Sequence, residues 1–238
     1  THTSGLDSDF AGDYEPVGRD DYIARILGSK LLTPPGQEYF YSNAGYSLLA
    51  AIVELASGQG YEAYLNQALF TPAGMAETGY RLPKWAPERI PHGYRDGKDW
   101  GTMLDKPWAP DGPWWALRGN GGIETTAGDM LRWIRALDSD AVLPAEARAK
   151  LFTPQVKEGG GETSYGYGWG IFESPRGTRV IGHNGGNGVF FADLRWFADE
   201  GIVVFMATNS SDFDGGPLSN LIVRSLLAPQ LDDEEMPP

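Results

Sequence analysis

Between residues 167 and 208 the chain runs through four apolar stretches of strand length, Tyr167–Phe172, Thr178–His183, Val189–Phe197 and Gly201–Thr208. Turn signals separate them: Pro175-Arg176-Gly177, Gly185-Gly186-Asn187-Gly188 and Asp199-Glu200-Gly201, in which proline fixes φ while glycine and asparagine admit left-handed backbone. Connections this short cannot cross over a sheet, so consecutive strands must pair antiparallel, as a meander. Such a sheet needs a cover, and a closing helix from Leu218 to Leu227 follows the last strand.

Helical signals fill the first half. Asp20 or Asp21 caps a short helix carrying Tyr22, Ile23, Ile26 and Leu27, and Pro34-Pro35-Gly36 interrupts the chain after it. Asn43 precedes an apolar run from Ala44 to Ala56 that is too long for a strand and stops at Ser57-Gly58, so it reads as a buried helix. Further helices are expected from Tyr61 to Leu69, from a Thr125 or Thr126 cap through Met130, Leu131, Ile134 and Leu137, and from Pro144 to about Leu151. Between Tyr80 and Asn120 prolines break regular structure, and Trp85, Trp100, Trp108, Trp114 and Trp115 are costly to leave in water. This ordered excursion either walls a substrate pocket or packs as a lid over core. The expectation is one α/β (α+β) domain: a mostly helical lobe over 20–151 with the excursion at 80–120, an antiparallel sheet and closing helix over 165–228, and a solvated acidic tail over 229–238.

Composition narrows the function. With 19 Lys+Arg against 32 Asp+Glu the formal charge is −13, which repels phosphate backbones and anionic membranes, so nucleic acid is not an expected partner. No cysteine is present, and His2, His92 and His183 form no metal-ligand spacing, so neither a metal nor any other cofactor is expected. No apolar run approaches the roughly 20 residues that span a bilayer. Two short segments carry chemistry. Tyr41-Ser42-Asn43 supplies a phenol able to take a proton and an amide able to grip a carbonyl; His183-Asn184-Gly185-Gly186 supplies a glycine-rich strand able to offer backbone N–H groups. These are three of the four parts of an acyl-transfer site, and the nucleophile is the missing fourth.

Five motifs in register resemble the serine β-lactamase-like and penicillin-binding superfamily, in its class C, DD-peptidase and esterase branch. Thr1-His2-Thr3-Ser4-Gly5-Leu6 resembles the end of an L-L-T-H-T-S-G-L segment, and Tyr41-Ser42-Asn43 resembles Y-x-N. Gly121-Gly122-Ile123-Glu124-Thr125-Thr126-Ala127-Gly128-Asp129-Met130 resembles a GG-x-x-S/T-T-A-x-D-M helix entry; Tyr167-Gly168-Trp169-Gly170 resembles a Y-G-x-G-W strand, and His183-Asn184-Gly185-Gly186 a K-T-G or H-x-G strand. The resemblance implies a β-lactamase/transpeptidase-like fold and an ester, amide or β-lactam substrate passing through an acyl-enzyme. It implies that Tyr41 is the general base, with nearby cations lowering its phenol. His183 stands where many relatives have Lys and is either a charged group or a hydrogen-bond donor to Tyr41 or the substrate. Asn43 either caps its helix or holds the substrate carbonyl, or does both. Gly185 admits close approach of the substrate and Gly186 N–H supplies half of an oxyanion hole, unless both simply form a hairpin turn.

The chain departs from the family at one point: no Ser in its 238 residues has a Lys three positions on. The resemblance therefore implies an N-terminally incomplete fold, with the nucleophile, its activating Lys and the first strands on a missing N-terminal segment that is itself a partner of this chain. Alone, the chain is then inactive. Two alternatives stand beside that reading: a non-catalytic relative that binds a ligand in the residual cleft, and a hydrolase using Thr1 as an N-terminal nucleophile. By analogy with such relatives, the expected location is periplasmic or secreted.

Overall fold

The computed structural model describes residues 1–213 and 215–227, so the acidic tail lies outside the described residues. A six-stranded antiparallel sheet has β3 (Val156–Lys157), β4 (Ser164–Tyr165), β5 (Gly170–Glu173), β6 (Arg179–Gly186), β7 (Phe191–Phe197) and β8 (Ile202–Thr208) in sequence order. The meander is as the turn signals require, but it begins earlier, because two two-residue strands precede the expected first one. Tyr167 lies outside any strand: Gly168 adopts φ +80, which bends the chain before β5 starts at Gly170.

Alternation along the strands gives the sheet two covered faces. Ile181, Leu194 and Trp196 pack with Ile134, Leu137 and Phe152, from and beside α4 (Ala127–Leu137) and α5 (Ala145–Leu151). On the opposite face Val180, Phe197 and Val204 pack with Val223 and Leu227 of α6 (Gly215–Leu227), which starts three residues before the expected Leu218. Cross-strand partners Ile181↔Trp196 and Val180↔Phe197 set the register, since a one-residue slip would exchange the two cores.

The helical lobe holds α1 (Arg19–Leu27), α2 (Asn43–Ser57) and α3 (Tyr61–Leu65), the last continued by a π-helical turn, Asn66–Phe70, up to Pro72. The α2 run is not buried all round. Ala44, Ser47, Ala50 and Ala51 are covered by Tyr22, Ile26 and Trp115, while Leu49, Ile52 and Leu55 are 52%, 58% and 69% exposed. An apolar composition thus hid an amphipathic arrangement in which small residues face the core. Nor is Asn43 the cap: Ser42 has the extended backbone, and its hydroxyl accepts from Gly45 N–H at 3.0 Å, which makes Asn43 the first helical residue.

The tryptophan-rich excursion packs as core, with Tyr80, Met103, Trp108 and Leu117 buried together and Trp100 and Phe190 beside them. It also contains a hairpin of β1 (Gly93–Arg95) and β2 (Lys98–Gly101), turned by Asp96 and Gly97 at φ +52 and +68. That hairpin is tied to the end of β8 by Tyr94 N–H to Asn209 O and Ser211 N–H to Tyr94 O.

Candidate active site

Tyr41 and His183, brought from α2's entry and from β6, lie with ring centroids 6.4 Å apart. Each is held by its own local structure. The Ser42 hydroxyl that caps α2 also donates to Asp7 O at 2.7 Å, and Ala44 N–H bonds Ser8 O, so the irregular segment around residues 7–8 fixes Tyr41 at the helix mouth. His183 lies beyond the reach of β5, which stops at the Gly170↔Gly182 pair. Among the described residues, 183–186 are therefore paired only with β7, and alternate N–H groups of this stretch face an edge that no described strand covers.

Gly185 and Gly186 belong to that strand, opposite Ala192 and Phe191, and not to a hairpin turn; the turn follows at 187–190, where Asn187 Oδ1 accepts from Val189 and Phe190 N–H. A Cβ at Gly186 would stand 2.8 Å from Phe190 O, so hairpin closure explains that glycine. At Gly185 a Cβ would meet nothing within 4 Å, so space remains open on the side of the strand it shares with His183. Asn43 reaches Asp9 Oδ2 through Nδ2 at 3.4 Å on the exposed rim.

Electrostatics run against the expected activation of Tyr41. Partial burial, then the carboxylates of Asp9 and Glu158, push its phenol above the ordinary range, although the residue is 43% exposed. Burial likewise holds His183 below its ordinary value and so neutral at pH 7. The histidine does not bond to Tyr41; its Nε2 lies 2.9 Å from the hydroxyl of Tyr165. Burial raises Tyr165 and Tyr46 too, a hydrogen bond with Tyr165 partly offsetting the effect on Tyr46. Thr1 is loop-bound, with its hydroxyl 2.8 Å from that of Thr3.

Two residues in contact with Tyr41 or His183 escaped the motif reading. Tyr165 is one: the pattern Y-G-x-G-W fits Tyr165-Gly166-Tyr167-Gly168-Trp169 in full, two residues upstream of the segment first aligned, and that register would have found it. His2 is the other. Its ring lies 3.9 Å from that of Tyr41 at 32° and 4.7 Å from that of Tyr165, and Nδ1 accepts from Ser42 N–H at 3.0 Å. It takes φ +55 to do so. The helix-entry motif, by contrast, is an anchor: Asp129 is completely buried and accepts from Thr78 Oγ1, Glu77 N–H and Arg132 Nη1 at 2.7, 2.8 and 2.7 Å.

Among the described residues no group of three or more His, Cys, Asp or Glu is arranged to hold a metal ion, and no helix is long and apolar enough to cross a membrane. Comparison with known proteins supports the fold. A penicillin-binding protein of Bacillus subtilis (strain 168) is 30% identical over 234 residues, covering 89% of this chain and 50% of its own. The D-alanyl-D-alanine-carboxypeptidase/endopeptidase AmpH of Escherichia coli (strain K12) is 26% identical over 231 residues, covering 89% of this chain and 57% of its own. The crystal structure of a penicillin binding protein from Bacillus halodurans superposes with a TM-score of 0.78 at 26% identity, covering 95% of this chain and 70% of that one. The chain spans about half the length of these curated relatives. With residues 1–227 matching the family profile described as Beta-lactamase, the chain belongs to the beta-lactamase family.

Proposed function

We propose that this chain forms the proton-handling and carbonyl-binding side of a serine hydrolase site acting on ester, amide or β-lactam carbonyls through an acyl-enzyme. The observation that carries the proposal is the convergence of Tyr41 and His183 at 6.4 Å beside the open edge of residues 183–186. Tyr41 is the general base, Asn43 and His183 hold the substrate, and backbone N–H groups along 183–186 receive the developing oxyanion. Relatives named as penicillin-binding proteins and as a carboxypeptidase support this substrate range, and by analogy with them we place the protein outside the cytoplasm.

Electrostatics specify what the site still requires. Both charged neighbours that act on Tyr41 are carboxylates and His183 is neutral, so the phenolate gains no support from cations among the described residues. A Lys next to the attacking hydroxyl would supply that charge, and no Ser here has one three positions on. In the proposed site the nucleophile and its Lys are supplied by residues outside these 238, so that this chain alone does not acylate.

The test is labelling by a fluorescent penicillin and hydrolysis of a p-nitrophenyl ester, for this chain and for the protein expressed from its complete reading frame. The complete protein should react and the chain alone should not. In the complete protein Tyr41→Phe should lower kcat by about 10²–10⁴-fold with little change in KM. Labelling of the isolated chain, or full turnover by Tyr41→Phe, would overturn the proposal.

A further inference from the structure

The proposed reaction does not use a large groove on the other side of the helical lobe. It opens just past the C-terminal end of α2, the opposite end from Tyr41, and 15 residues at about 1.5 Å each put it roughly 20 Å from the phenol. Its volume of about 550 Å³ falls within the range of small-molecule sites, and its walls include Tyr61, Arg81, Leu82, Lys84, Trp85 and Leu104.

The charges in this groove are unevenly committed. Both carboxylates that line it are engaged elsewhere. Glu62 accepts from the backbone N–H groups of Tyr80, Arg81 and Leu82, and Asp111 forms a two-point pair with Arg118 at 2.8 and 2.7 Å. The cations are not engaged in this way. Among the described residues Arg81 forms no ion pair; one Nη2–H reaches Ala109 O at 3.1 Å, and Nε is buried without a partner. Lys84 has neither an ion pair nor a hydrogen bond among the described residues. Arg81 is anchored by Trp108, whose ring centroid lies 5.7 Å from its guanidinium carbon, which leaves its buried Nε and the exposed Lys84 ammonium without a partner among the described residues beside an indole and a phenol.

We propose that this groove binds a small carboxylate carrying an aromatic body, with the carboxylate on Arg81 and Lys84 and the ring against Trp85, Tyr61 and the two leucines. A planar guanidinium with free N–H groups matches a carboxylate at two points, and an ammonium adds charge without geometric demand. The apolar walls exclude a bare inorganic anion as the best occupant, because they would gain nothing from it.

N-acetylphenylalanine and its methyl ester, titrated against the whole chain by calorimetry or ligand-observed NMR, test the assignment. The acid should bind saturably and the ester at least about tenfold more weakly, since the ester removes only the charge that Arg81 and Lys84 read. Arg81→Gln and Trp85→Ala should each weaken the acid by about tenfold. Lys84→Gln, at an exposed position, should weaken it in the same direction without a change in melting temperature, which separates lost binding from lost folding. Absence of saturation up to about 10 mM, equal binding of acid and ester, or unchanged binding in both cation variants would overturn the proposal.

Discussion

His2 should make this protein acid-sensitive in a way that a single substitution can isolate. Its ring is 5% exposed and its Nδ1 already accepts a backbone N–H, so protonation would place a second N–H against Ser42 and a charge inside a ring of tyrosines. Burial first, then the adjacent amino terminus and His183, lower its pKa from 6.5 to about 4. The unfolded chain takes up this proton below pH 6.5 and the folded chain does not until about 4, so stability is full above 6.5 and falls as pH drops through that window. At about 1.4 kcal/mol per unit, the loss reaches roughly 2.5 kcal/mol by about pH 4.5. His2→Asn keeps an acceptor near the Nδ1 position and tolerates φ +55, while removing the titrating group. Guanidinium unfolding of both proteins at about pH 7.5 and 4.5 should show the parent losing roughly 2.5 kcal/mol more than the variant across the interval. Parallel losses in the two proteins, or an imidazole NMR midpoint near 6.5, would refute the argument.

Asp129→Ala should cost about 2–4 kcal/mol, because it strands the Glu77 N–H and leaves the buried Thr78 hydroxyl with Thr125 as its remaining partner; a guanidinium midpoint shift equivalent to less than about 1 kcal/mol would show that water replaces the carboxylate. Burial raises the Glu124 carboxyl to about 7, so its favourable contribution is present below the ordinary 4.5 and is lost as pH rises through 7. Glu124→Gln should accordingly stabilise the protein at pH 8 by about 1–2 kcal/mol, allowing for partial exposure, with little effect at pH 4, as thermal melts at the two pH values will show. Tyr165→Phe removes the hydrogen-bond partner of His183 and should move the His183 imidazole titration measured by NMR; an unmoved midpoint would show that burial and the nearby Asn184, Glu158 and Asp193 set it without Tyr165.

The sheet was legible because its signals are local: turn residues at short spacing force antiparallel pairing whatever else the chain does. The α4 cap at Thr126 was legible for the same reason, since its hydroxyl accepts Asp129 N–H across three residues. What escaped depends on distance in sequence. Leu49, Ile52 and Leu55 are as apolar as a core face, and only the position of α1 and Trp115 decides which side of α2 is covered. Tyr41 can be named from its motif, but the carboxylates that raise its phenol cannot, because Asp9 and Glu158 arrive from 32 residues before it and 117 after it. His2 looked isolated because the Ser42 N–H it receives lies 40 positions away.

One rim of the sheet has a practical consequence. The seven residues of β8, Ile-Val-Val-Phe-Met-Ala-Thr, are bonded to β7 on one side, and no described strand lies along the other. Natural sheets blunt such a rim with lysine, proline or a bulge, and this one has none of these within the strand. Unless another strand occupies it, the rim is a template on which a second chain can add, and solutions of this polypeptide should become turbid or self-associate as concentration rises.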